Sequence, residues 1–178
     1  MRKSAIFLFV ILLPFLVIAE SIEKPQPFLL RKGAAGKLKL GMSKNELYKQ
    51  FDEKLTELTD LKLEGHYCPA IAIYLSDESN EEKQQPNLIA EITQKKDWTV
   101  WRIRVYDKRF RTKEGIGIGS TFGEIKKLYD FGWSHHGEHM LCAEVKDLKV
   151  HFEINGWFSK KTRDSIPDDR EIISVVVN

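Results

Sequence analysis

The chain has 178 residues, of which 42% are hydrophobic and 30% are charged. This balance is typical of a globular domain and excludes an intrinsically disordered chain. Lysine and arginine outnumber aspartate and glutamate by only 28 to 26. Since two of those bases, Arg2 and Lys3, lie in a segment that we expect to be removed, the charge does not favour nucleic acid as a partner.

Residues 1–19 have the three parts of a secretory signal peptide. The positive start is followed by an apolar run from Ala5 to Ile18, and Ala19 is a small residue at the cleavage position. A membrane anchor is the alternative, but a helix of this length reaches only about 21 Å, short of the ~30 Å hydrocarbon core. The first cysteine is Cys68, so no lipidation cysteine follows the signal. We therefore predict a periplasmic or secreted protein that has no membrane span after cleavage.

A short motif occurs twice in the chain, in residues 38–51 and again, without a gap, in residues 116–129. Each copy has alternating aliphatic residues, a glycine, and then a hydroxyl residue three positions before a glutamate. That spacing predicts a capping box at the start of a helix, with an apolar stripe along the helix that follows. The predicted capping residues are Ser43 and Glu46 in the first copy, and Thr121 and Glu124 in the second.

Alternating apolar and polar residues after each motif predict roughly three antiparallel strands per half. In one of these strands, Trp101, Ile103 and Val105 share a face, while Arg102 and Arg104 take the other. We predict an α+β fold in which two tandem helix-plus-strand modules form one continuous or adjoining antiparallel sheet, with short helices packed on it. The predicted divisions are a signal peptide (1–19), a leader (20–35), a first module (36–107), a connector (108–114) and a second module (115–178).

The first copy of the motif, Leu38 to Leu47, resembles the opening of the beta-lactamase-inhibitor-protein-like modules. That group also includes the small outer-membrane assembly lipoproteins of Gram-negative bacteria. The resemblance implies two such modules side by side in one antiparallel sheet, as in the inhibitor proteins, and a role in binding another protein. The chain departs from the group because it has no lipidation cysteine, and because its two cysteines lie in different modules.

The two cysteines are Cys68 and Cys142. In an oxidising compartment, an even number of cysteines favours a disulfide, with two separate buried thiols as the alternative. We predict a Cys68–Cys142 bond that joins the two modules.

A histidine cluster is the candidate metal site, because imidazoles are preferred ligands of zinc and copper. The alternative is a polar turn followed by a strand, which the sequence favours. The candidate ligands are His66, His135, His136 and His139.

A run of bases with interleaved aromatic residues is the candidate binding surface for an acidic protein or an anionic envelope component. The alternative is a solvated strand face and a connector between the modules. The candidate residues are Arg102, Arg104, Lys108, Arg109, Phe110, Arg111 and Lys113.

The sequence contains no motif for nucleophilic catalysis and no complete nucleotide-binding loop, so we predict neither catalytic residues nor a cofactor. We expect a non-enzymatic exported protein of the bacterial envelope that binds another macromolecule as an inhibitor, immunity factor or assembly partner. The alternatives are a periplasmic metal-binding protein that uses the histidine cluster and an unrecognised envelope hydrolase.

Overall fold

The fold is given by a computed structural model that describes residues 26–63, 65–75, 85–93, 97–136, 140–156 and 165–178. The predicted signal peptide lies outside these residues. Within the described ranges, no helix has the length and apolar character needed to cross a membrane.

Eleven strands, two α-helices and one 3-10 turn make up the described fold. The elements of the first half are β1 (Leu30–Arg31), β2 (Ala34–Ala35), β3 (Leu38–Lys39), α1 (Lys44–Gln50), a 3-10 turn (Glu53–Leu55), β4 (Thr56–Leu63), β5 (His66–Ile73), β6 (Leu88–Thr93) and β7 (Thr99–Val105). Those of the second half are α2 (Phe122–Leu128), β8 (Gly132–His136), β9 (Met140–Val145), β10 (Val150–Ile154) and β11 (Ile172–Val177).

Eight strands form one antiparallel sheet in the order β4-β5-β6-β7-β11-β10-β9-β8, and β1-β2-β3 form a small second sheet. Each strand of the first half has a counterpart at the same distance from the opposite edge of the sheet. The corresponding pairs are β4 and β8, β5 and β9, β6 and β10, and β7 and β11. The halves meet where β7 pairs with β11, and Arg104 lies directly opposite Val176 at the middle of that pairing. The eight-stranded sheet therefore has an approximate two-fold axis that passes between these two residues.

The repeated motif accounts for the way each half begins. Gly41 and Gly119 have φ angles of +79° and +83°, which glycine adopts without the penalty that a side chain brings. The amide of Gly41 donates to Val100 O at 2.7 Å, and that of Gly119 donates to Ile172 O at 2.8 Å. The same turn therefore joins each helix start to the start of the last strand of its own half.

Both predicted capping boxes are present. Glu46 N and Glu124 N each donate to the cap hydroxyl, of Ser43 or Thr121, at 3.3 Å. In return, the glutamate carboxylates accept from Ser43 N at 2.8 Å and Thr121 N at 2.6 Å. Leu47 and Ile125, one on each helix, are fully buried in the hydrophobic core.

The core lies on one side of the large sheet, which we call the inner face. Its strand residues alternate with residues on the opposite side, the outer face. The leader contributes to this core, since Leu30 is buried and the Phe28 ring meets the Phe110 ring edge-on at 5.2 Å. The inner face of the central strands is formed by Ile71, Ile73, Leu88, Ala90, Ile103, Val105, Val150, Phe152, Val175 and Val177.

The predicted α+β class is wrong, because the described chain is mostly β. Each α-helix has only seven residues, whereas eight strands form the main sheet and three more form the second. The capping motif locates where a helix begins but carries no information on its length. Each half also contributes four strands to the large sheet and not three. Strands β4 and β8 were missed because polar residues interrupt their alternation.

Candidate functional site

Two β-bulges shape the outer face, one in each half. The register shifts after Glu91 in the β6–β7 ladder and after Glu153 in the β10–β11 ladder. These glutamates are the fourth residues of the corresponding strands β6 and β10. Each bulge therefore follows the same position of the repeat.

The bulges place one large apolar residue of each half on the outer face. Val100 and Ile172 belong to the core, so the residues that follow them, Trp101 and Ile173, point to the other side. Trp101 is 41% exposed and Ile173 is 40% exposed. The two lie about 20 Å apart along the strands, at ~3.3 Å per residue. The prediction that Trp101 shares a face with Ile103 is wrong, because Trp101 is the extra residue of the bulge. Glu91 pairs with Arg102 and Ile92 pairs with Val100, so the ladder passes over Trp101.

Between these two residues lies a charge network of two glutamates and two arginines. Arg104 Nε donates to Glu91 Oε1 at 2.7 Å, and Arg102 NH1 lies 3.6 Å from Glu91 Oε2. Arg104 NH1 lies 3.9 Å from Glu153 Oε1, while the hydroxyl of Ser174 donates to the other oxygen of Glu153. The carboxylates of Glu91 and Glu153 are buried. Because buried charges are costly unless they are paired, the four groups depend on one another.

The two-fold axis explains why Arg104 lies near both glutamates. Glu91 and Glu153 are equivalent positions, and Arg104 lies on the axis between them, opposite Val176. A second arginine at position 176 would lie directly across the ladder from Arg104, where like charges repel. One central cation therefore faces both buried carboxylates.

The environment acts differently on the two arginines. Burial alone would lower the pKa of Arg104, but the adjacent carboxylate of Glu91 leaves that pKa raised above its usual value. For Arg102, burial outweighs the attraction of Glu91, and the pKa is lowered. The guanidinium of Arg102 also lies over the Trp101 ring, 4.2 Å from its centroid. The exposed tryptophan is thus attached to the buried network.

A second chain of hydrogen bonds continues from Arg102 towards β8. Arg102 Nε donates to Asn178 Oδ1 at 2.9 Å, so the amide nitrogen of Asn178 faces His151 Nε2 at 3.1 Å and donates to it. Neutral His151 then carries its proton on Nδ1, 2.6 Å from Ser134 Oγ, and donates to that hydroxyl. A base that activates serine must instead accept the serine proton. This arrangement orients Ser134 but does not make it a nucleophile.

The predicted basic surface is not formed where Arg102 and Arg104 lie. Their side chains are only 20% and 12% exposed, and both form ion pairs with Glu91. Alternation along the strand correctly predicts that Arg102 and Arg104 lie on the face of the sheet opposite to Ile103. It does not show that the outer face is itself buried at this point.

The rest of that basic run is divided between the core and separate surface positions. Phe110 is 2% exposed and belongs to the core. Arg109 pairs with Asp107 at 2.6 Å, and Arg111 NH1 donates to Ser120 Oγ at 3.0 Å. Two lysines of the run are exposed, Lys108 and Lys113.

His66 is not brought near the other candidate metal ligands. His66 lies in β5 and is exposed, whereas His135 and His136 lie in β8, six strand positions away, or about 29 Å at ~4.8 Å per strand. His139 lies outside the described residues, as do the side chains of His135 and His136. Within the described part of the chain, no group of three potential metal ligands is present.

The predicted disulfide is also not formed. Cys68 lies in β5 and Cys142 in β9, and no bond joins them. The halves are connected instead by the β7–β11 ladder.

Sequence reasoning missed Glu91 and Glu153. A signal for them exists in the repeat, since the fourth residue is glutamate and the fifth is isoleucine in both β6 and β10. An acid repeated at equivalent positions of two mostly apolar strands indicates a buried, paired carboxylate.

No protein-family model matches the chain, and the comparison with curated proteins gave no match. Among solved structures, the chain is similar to the crystal structure of the uncharacterized protein YfeY from Escherichia coli, with a TM-score of 0.55 and 11% sequence identity. The similarity covers 85% of this chain and 97% of that one. At this identity the two chains share a fold, and the resemblance to the inhibitor-protein-like modules stays a prediction.

Proposed function

We propose that the chain is an exported, non-enzymatic binding protein of the bacterial envelope that recognises another protein as an inhibitor, immunity factor or assembly partner. The observation that carries the proposal is the pair of bulges, which hold Trp101 and Ile173 about 40% exposed on either side of the charge network. The signal-like residues 1–19 support export.

The outer face has the properties of a preorganised binding surface. Tryptophan and arginine dominate the binding energy of protein interfaces, and here Trp101 stacks on Arg102. Arg102 is held in turn by Glu91 and Asn178, so little side-chain freedom remains to be lost when a partner binds. A partner segment about 20 Å long would contact both Trp101 and Ile173.

The hydrogen bonds of the outer face support binding over hydrolysis. His151 donates to Ser134, and this leaves the serine proton without a base among the partners described above. The resemblance to inhibitor-protein-like modules agrees with a binding role, as a fold-level analogy.

Site-specific photo-crosslinking in the bacterial envelope tests the proposal. A photoreactive residue at position 101 or 173 should crosslink to one partner, while the same residue at the exposed positions Tyr67 and Leu128 should not. With the purified partner, Trp101→Ala should weaken binding at least about thirtyfold, since a central tryptophan contributes about 2 kcal/mol or more. Tyr67→Ala is the matched aromatic control and should change affinity less than about twofold. Equal crosslinking at all four positions would contradict the proposal.

Amino-terminal sequencing tests export separately. The protein recovered from the periplasmic or secreted fraction should begin at Glu20, because Ala19 occupies the cleavage position. Recovery only from the membrane fraction with Arg2 and Lys3 retained would contradict it.

A further inference from the structure

A basic cleft lies between the small sheet and the turn that joins β9 to β10. It is open to solvent and has a volume of about 460 Å³. Its cations come from parts of the chain that are more than a hundred residues apart. The lining residues are Arg31, Lys32, Gly33, Ala34, Lys39, Leu40 and Lys149.

The lining of this cleft contains four bases and, within the part of the chain that the structure describes, no acid. All four basic side chains are exposed, so their charged groups are available to a ligand. Arg31 is positioned by one hydrogen bond, from NH2 to Gly36 O at 3.3 Å. Four like charges around one cleft repel each other and create a positive potential that attracts an anion. The cleft differs in this respect from the outer face, where each arginine lies beside a carboxylate.

The backbone of Lys149 gives a second, independent observation. Lys149 has φ +53°, in the left-handed region where a lysine is disfavoured and glycine or asparagine is preferred. The turn is closed by Lys149 N donating to Lys146 O at 3.1 Å, and Asn178 N donates to Lys149 O at 3.1 Å. Backbone stability alone would favour glycine at this position, so the turn itself does not explain why the residue is lysine.

We propose that this cleft binds a ligand that carries two or more phosphate groups. Phosphate oxygens suit the cleft because Arg31 can bind them through its planar fork, while Lys32, Lys39 and Lys149 act as point charges. The volume of the cleft exceeds that of a single phosphate, and its four cations can neutralise the charge of more than one phosphate group. This site shares no residue with the outer face, so it goes beyond the proposed protein-binding function.

Calorimetry with sodium tripolyphosphate, and sedimentation with phosphatidylglycerol–phosphatidylcholine vesicles, test the site in the purified protein. Tripolyphosphate represents a free polyanion, and the vesicles present the same phosphate chemistry as lipid headgroups. We expect binding that weakens as salt rises. Binding to vesicles alone would identify a headgroup as the source of the phosphate, and binding to tripolyphosphate would identify a soluble ligand.

Two substitutions in the cleft and two elsewhere make the test specific. Lys149→Gly should preserve the turn, with no loss in melting temperature, and should weaken binding about tenfold, as expected when one charged hydrogen bond is removed. Lys39→Gln should have a similar effect. The exposed lysines Lys113 and Lys127 provide the controls, and Lys113→Gln and Lys127→Gln should leave affinity unchanged. The proposal is overturned if neither probe binds, or if the controls weaken binding as much as the cleft variants do.

Discussion

Arg104 shows how one residue can stabilise both halves of the sheet. It lies on the approximate two-fold axis, 2.7 Å from Glu91 and 3.9 Å from Glu153. Arg104→Gln removes the cation and leaves two buried carboxylates, so we expect a loss of about 3–5 kcal/mol in the free energy of unfolding. Urea denaturation measures this loss. Lys108→Gln, an exposed change in the same basic run, should stay within about 0.5 kcal/mol.

A double substitution distinguishes the charge pairing from simple packing. In the Arg104→Gln variant, buried Glu91 should destabilise the fold because its cationic partner is missing. Adding Glu91→Gln to Arg104→Gln should therefore recover part of the lost stability. A double variant whose destabilisation equals the sum of the two single changes would contradict the network.

His151 makes the stability of the protein depend on pH. Burial lowers its pKa; Glu144 from β9 partly opposes this effect, and Arg102 from β7 adds to it. Since the folded-state pKa is lowered, the unfolded chain binds the proton more readily, and stability is fully present above the unfolded value of about 6.5. It should fall as the pH drops from there through the folded-state pKa.

Protonation of His151 should also disturb the neighbouring hydrogen bonds, because a proton on Nε2 would face the amide nitrogen of Asn178. Urea unfolding between pH 7.5 and pH 4.5 should show this loss, and His151→Gln should reduce the slope of the curve in that range. His66→Gln, at an exposed histidine, is the control and should leave the slope as it is. Identical curves for the wild type and His151→Gln would contradict the assignment.

At the scale of elements, the two capping boxes should contribute equally. Their geometries match, with the cap hydroxyl accepting at 3.3 Å in both helices. Ser43→Ala and Thr121→Ala should therefore each cost about 1 kcal/mol, the usual effect of losing a cap. Asn45→Ala, at an exposed helix position, should cost nothing because alanine favours the helix. Effects below experimental error at both caps would mean that these helices need no cap.

The bulges show a limit of strand prediction. From Trp101 to Val105 the residues alternate without a break, so the pattern predicts that Trp101 faces the core. The ladder with β6 shifts by one residue, and Val100 occupies the core instead. A bulge depends on the pairing of two strands, and one strand read alone does not contain that information.

For the whole molecule, the sequence predicted what local chemistry determines. The repeat was visible because glycine, a hydroxyl residue and glutamate have fixed spacings in both copies. The strand order, the position of Arg104 between its two carboxylates and the Arg31–Lys149 cleft depend on residues far apart in the chain. Of these features, the sequence contains a signal only for the repeated glutamates, Glu91 and Glu153. The predicted basic surface failed at Arg102 and Arg104 for the same reason: the acids that neutralise these two arginines lie in other strands.

The strand order of the large sheet determines whether the two cysteines can form a disulfide. The compartment and the composition of the chain left this point open. Strands β5 and β9 are five positions apart in the sheet, which places Cys68 and Cys142 about 24 Å apart at ~4.8 Å per strand. A disulfide needs Cα atoms within about 7 Å, so a bond would require the sheet to come apart. Protein isolated without reductant should therefore migrate identically before and after reduction.

Alkylation tests the same conclusion residue by residue. In the native protein, Cys68 is half-buried, whereas Cys142 is buried. Because a reagent must reach the thiol before it can react, iodoacetamide should modify Cys68 first, and Cys142 only after denaturation. Cys68→Ser should leave the unfolding midpoint close to that of the wild type, since no cross-link is lost. A Cys68–Cys142 linked peptide in protein taken from the periplasm would contradict the strand order, because no antiparallel sheet of this order can bring the two residues together.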